Sequence, residues 1–103
     1  MRYLTLSADY GAPRLRDADD RDGSTSLDDI GLPTALVDDL TSWNAEYEEV
    51  IPLDTKEREG DPASALIDRL DQEGMALAVR VAEAVGSGAK VAYYSEGRLR
   101  SLL

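Results

Sequence analysis

Leu36, Leu40, Trp43, Tyr47 and Val50 recur at intervals of four, three, four and three residues. That is the rhythm with which one face of an α-helix returns to the same side. Pro33 suits the first turn of such a helix, and Pro52 stops it at about Val50, because the residue before a proline is pushed out of the helical region. The intervening positions carry Asp38, Asp39, Glu46, Glu48 and Glu49. The element must therefore lie with its apolar face on a core and its acidic face in water.

Asp61-Pro62 reads as the start of a second helix, the aspartate accepting orphan N–H groups and the proline entering the first turn. Leu66, Leu70, Leu77, Val81 and Val85 make its apolar stripe, widened by Ile67, Ala78 and Ala82. Gly74 falls on that stripe, where glycine costs about 1 kcal/mol of helix propensity relative to alanine. Close approach of another backbone, or a break between two shorter helices, would account for it. Gly86-Ser87-Gly88 supplies the stop, and Leu53 to Gly60 reads as a charged connector between the helices.

Strand patterns flank the helices. Residues 2–8 alternate, with Leu4, Leu6 and Ala8 on one face and Tyr3, Thr5 and Ser7 on the other. Lys90 to Ser95 alternates likewise, so that only one of the adjacent Tyr93 and Tyr94 can face the helices. Residues 13–26 are polar, with few apolar anchors, and read as a mobile acidic loop. Ser26 to Asp29 has the spacing of a capping box. Residues 98–103 form a short basic, apolar-ended tail in which Leu99, Leu102 and Leu103 could make a helical turn. The fold class is α+β: a single domain over residues 1–103, ordered strand–loop–helix–helix–strand, with a two-helix layer on a short sheet. Two strands alone are marginal in water, so the loop, the tail or another copy of the chain has to complete the sheet.

Charge bounds the partners. Between Asp17 and Asp61 lie fifteen carboxylates and three basic residues, a net of −12 within a chain of net −10. Such a field repels nucleic acid and membrane phosphates and attracts basic surfaces. Arg98 with Arg100 is a compact basic pair. No apolar run approaches a membrane span and no leader pattern opens the chain, so it reads as cytoplasmic. The absence of cysteine excludes disulfides and thiol chemistry. The absence of histidine removes the commonest acid–base group and nitrogen ligand. No catalytic motif stands in their place, and the expectation is no enzyme and no cofactor.

The acidic run beginning at Asp17 invites a calcium reading. Asp19 and Asp28 fall at its third and twelfth positions, but Arg21 stands at the fifth and Asp22 where a calcium loop needs its turn glycine. A solvated loop with no metal site is the expectation. Adjacent acids such as Asp38/Asp39 and Glu48/Glu49 read as surface charge, since consecutive helical residues point in different directions. Trp43 and Tyr47 read as core. Whichever of Tyr93 and Tyr94 faces outward stands near Arg98 and Arg100 as a candidate contact surface.

Trp43-Asn44 with Tyr47, followed by Tyr93-Tyr94-Ser95-Glu96-Gly97, resembles a type of small acidic bacterial protein of unassigned function; the resemblance implies no substrate and no catalytic residues. In size and acidity the chain is also similar to immunity proteins that neutralise basic toxins. The function expected is non-catalytic binding of a basic protein partner, immunity-like, with Asp38, Asp39, Glu46, Glu48, Glu49, Tyr94 and Arg98 as candidate contacts. A self-associating structural or regulatory module is the competing expectation.

Overall fold

The computed structural model describes residues 3–17, 31–86 and 88–102. The elements are β1 (Tyr3–Ser7), β2 (Arg14–Asp17), α1 (Thr34–Tyr47), α2 (Thr55–Glu59), α3 (Ala63–Val85), β3 (Lys90–Ser95) and β4 (Arg100–Ser101). The sheet runs β2-β1-β3-β4, with β1 parallel to β3 and both outer pairs antiparallel. Leu6 stands opposite Leu15 on one side and Tyr93 on the other. These three side chains are fully buried on the helix-covered face, while Thr5, Ser7 and Tyr94 alternate to the other side.

The α+β order expected from the sequence is present, and the sheet is completed from within the chain. Arg14–Asp17 form a strand where a loop was expected. Leu15, with no exposed surface, supplies the apolar anchor, and β1 supplies the backbone partners. Residues 18–26 of the expected loop, the calcium-like spacing beyond Asp17 and the capping box at Ser26 lie outside the described residues. The tail adds β4 rather than a helical turn: the Leu102 N–H donates to the Tyr93 carbonyl at 2.9 Å, and Leu102 packs against the core. With four strands among the described residues, the need for a second copy that a two-stranded sheet would create does not arise.

The helical face from Leu36 to Tyr47 is buried as its spacing predicts, and Val50 is buried in the turns that continue from α1. α1 packs on α3, and α3 packs on β3 and β1. The start of α3 differs in detail from the expectation. Asp61 makes no side-chain cap; the Ser64 N–H is met by the Gly60 carbonyl at 2.9 Å instead. The charged connector folds into α2, with Asp54 accepting from the Glu57 N–H at 2.8 Å. Arg58, 8% exposed, fixes this segment by donating to the carbonyls of Ile51, Leu53 and Glu96 at 2.8, 3.0 and 2.6 Å.

Gly74 is explained by close approach, but of a side chain rather than a backbone. A Cβ there would sit 2.6 Å from Cζ and 2.7 Å from Oη of Tyr93. α3 is accordingly unbroken across it. Gly74→Ala gains about 1 kcal/mol of helix propensity and costs about 1–3 kcal/mol by overpacking. Urea unfolding is expected to show a net loss of stability; an unchanged or raised midpoint would mean that the Tyr93 ring yields freely.

Candidate functional site

The interior is organised around one carboxylate. Asp71 lies on α3 one helical turn after Ile67 and is 3% exposed. Its Oδ1 accepts hydrogen bonds from the hydroxyls of Tyr47 and Tyr93, both at 2.7 Å, and its Oδ2 accepts from Ser95 Oγ at 2.7 Å. Tyr47 ends α1, and Tyr93 and Ser95 belong to β3, so the carboxylate joins both long helices and the sheet. Two of the hydroxyls also accept: Gly97 N–H donates to Tyr47 Oη at 2.8 Å, and Arg98 N–H donates to Ser95 Oγ at 3.0 Å. The β3–β4 turn is thereby fixed to the same centre. Gly97 is required for this, because a Cβ would lie 2.9 Å from Tyr47 Oη and 2.7 Å from Ile67 Cγ2.

Two further bonds complete the frame. Trp43 Nε1 donates to the Leu70 carbonyl at 2.8 Å across α1 and α3. Asn44 accepts from the Asp9 N–H at 3.0 Å and donates to the Asp9 carbonyl at 2.8 Å, holding the end of β1 against α1. Among the described residues no buried side-chain nitrogen or oxygen lacks a partner, which is what a polar core must achieve to avoid the cost of desolvated groups. Trp43, Tyr47 and Tyr93 stack edgewise around the centre at ring separations of 5.6 and 6.0 Å. Every residue that carries the sequence resemblance, except Tyr94 and Glu96, is therefore part of this polar core or braces it. Asp71 was not singled out from the sequence. The signal was its place on the apolar stripe, between Ile67 and Gly74.

Burial, chiefly, pushes the Tyr47 hydroxyl up from 10.0 to about 12, with the Asp71 carboxylate adding to the rise against opposing bonds from Ser95 and Gly97. Burial and the bond to Asp71 push Tyr93 up as well. Tyr47, Tyr93 and Ser95 have no exposed surface, so the centre presents no reacting group to solvent. Among the described residues no three carboxylates are grouped to hold a metal ion.

Apart from the Arg98 backbone, the contact candidates lie outside this frame, and they are not all together. Asp38 and Glu49 are exposed. Asp39 pairs with Arg80 of α3 at 2.7 Å and Glu46 with Arg69 at 3.3 Å. Glu48 accepts from the Gly11 N–H, bracing the β1–β2 connection. Arg98 is held by Asp68 Oδ1 at 2.7 Å and by Ser64 Oγ at 3.0 Å, on the helix side of the sheet. Tyr94 lies on the opposite face, in a shallow hollow with Arg14, Arg16 and Glu96. Its basic neighbours are thus those of β2 and not Arg98 and Arg100, because strand alternation turns it away from the helices.

Asp71→Ala leaves three buried hydroxyls without their acceptor and is expected to cost about 3 kcal/mol or more in urea unfolding, against about 1–2 kcal/mol for Tyr47→Phe. The raised tyrosine pKa values predict alkaline instability. Below pH 10 the Tyr47 hydroxyl is protonated in folded and unfolded chains alike, and its contribution is complete. Between pH 10 and about 12 the unfolded chain loses the proton first, so stability falls as pH rises. Thermal melts from pH 8 upward should show the midpoint falling once pH passes 10; a flat profile to pH 12 would contradict the assignment.

No curated protein matches the chain. A family model does: residues 2–96 match the family described as Serratia CdiI immunity protein-like. The match spans β1 to the end of β3, including Asp71 and each of its hydroxyl partners. With nearly its whole length matched, the protein belongs to the Serratia CdiI immunity protein-like family.

Proposed function

We propose that this protein neutralises a protein toxin by binding it without catalysis, using the acidic outer surface of α1 and the turns after it against a basic surface on the toxin. Membership of an immunity protein-like family is the observation that carries the reading. Charge supports it: Asp38 and Glu49 are exposed and have no side-chain partner among the described residues, and Asp39 and Glu46 stand half-exposed beside them in surface pairs. A helix tied to α3 through Trp43 and to the Asp71 centre through Tyr47 displays those charges at fixed positions. Fixed charge raises association rate and selects partners more than it adds affinity. Glu48 and Arg98 fit this reading as residues that position the surface, since both are engaged inside the chain. Among the described residues no helix is long and apolar enough to cross a membrane, and a cytoplasmic site of action in a bacterium is part of the proposal.

The test is calorimetric titration of the protein with the toxin domain encoded next to its gene. Binding is expected to weaken steeply as salt rises from about 50 to about 500 mM, where charges are screened over a few ångströms. Asp38→Lys with Glu49→Lys should raise Kd about tenfold or more with the melting temperature unchanged. No binding by the wild-type protein would overturn the toxin-neutralising reading. Salt-insensitive binding untouched by the double variant would overturn the role given to the acidic helix.

A further inference from the structure

α1 and α3 diverge at the surface around a groove of about 360 Å³. Its floor is apolar, formed by the edges of Trp43 and Leu77 with the exposed methyl of Ala76. Asp39 and Glu46 of α1 and Glu73 of α3 stand on its rim. Each of these carboxylates is already met by a guanidinium of the same chain: Arg80 on Asp39 at 2.7 Å, and Arg69 between Glu46 and Glu73 at 3.3 and 3.0 Å. The side chains in these pairs are 45–56% exposed. Such solvated pairs contribute little and are easily exchanged for another pair of the same kind.

We propose that this groove seats an arginine side chain of the basic partner. Its methylene stem would lie on Trp43 and Leu77, and its guanidinium would bridge the carboxylates of Glu46 on α1 and Glu73 on α3 in place of Arg69. The inference rests on the toxin-binding reading for the source of that arginine, but not for the chemistry of the groove. Two features select arginine. The floor rewards an apolar stem that a charged group can carry while its head stays at the rim. The rim holds carboxylates on both helices, and a planar fork with five donors can bridge these where a compact ammonium cannot. The pairs already present show the rim accepting guanidinium groups in both positions.

Nitrogen-15 NMR on the full chain tests this with a defined probe, the peptide acetyl-Leu-Arg-Ala-Arg-Leu-amide, and its lysine counterpart. Trp43 is the only tryptophan in the chain, so its indole N–H is a single reporter on the groove floor. Saturable shifts of that indole and of the Ala76 and Leu77 amides are expected with the arginine peptide, at several-fold lower concentration than with the lysine peptide. Ala76→Arg and Ser42→Arg each place a cation in the groove from an exposed position and should weaken the response about tenfold, with melting temperature as the check on folding. No saturable shift, or the same response in both variants, overturns the proposal. Titrating the toxin domain separates it from the reading beneath: toxin bound equally by wild type and both variants removes the groove and leaves toxin binding standing, whereas no binding to wild type removes toxin binding.

Discussion

A carboxylate that accepts three hydroxyls in a closed core is the constraint from which the rest of this structure follows. Asp71 has acceptors only, and each of its partners is an O–H from a different place on α1 or β3. Removing water from such a group is tolerable only while every partner stays in reach, so α1, α3 and β3 cannot shift independently of one another. The two glycines at close approach follow from it. Tyr93 reaches Asp71 by lying across Gly74, and the turn amide reaches Tyr47 because Gly97 has no side chain. The surrounding apolar contacts supply most of the driving force for collapse, and the polar centre selects one arrangement of the collapsed elements.

Much of the frame is written locally. The intervals from Leu36 to Val50 and from Leu66 to Val85 mark the two long helices, and alternation marks β1 and β3, because in each case one element buries its own repeating face. β2 and β4 have no such signature. Four residues with one buried leucine, or two residues with none, become strands only because β1 and β3 offer open backbone edges. α2 was hidden for a related reason: five residues, four of them charged, form a turn of helix because Asp54 caps it and Arg58 finds three carbonyls that lie elsewhere in the fold.

Asp71 was missed for a different reason. A carboxylate in an acidic chain reads as solvent-facing, and residue type outweighed position. The stripe through Ile67, Gly74 and Val81 places Asp71 among buried residues, and tyrosines elsewhere in the chain offered it donors. The resemblance built on Trp43, Asn44, Tyr47, Tyr93, Ser95 and Gly97 was thus a resemblance in the core rather than in a binding surface. The family match bears on the other resemblance, the one in size and acidity to immunity proteins. Under the proposed function, the acidic residues of α1, conspicuous in the sequence, carry the partner-specific surface. They make no contact with the polar centre, so they can change without disturbing it.

Native-state hydrogen exchange at the Gly97 and Arg98 amides measures the central claim most directly. Both lie in a tight turn after β3, where amides ordinarily exchange by local fraying, and both donate to hydroxyls that are themselves bound to Asp71. If Asp71 welds helices, sheet and turn into one unit, these two amides exchange only through global unfolding, with the same opening free energy as the amides of α3. Exchange at the rate of an exposed turn, while α3 stays protected, would show that the centre does not hold the structure together.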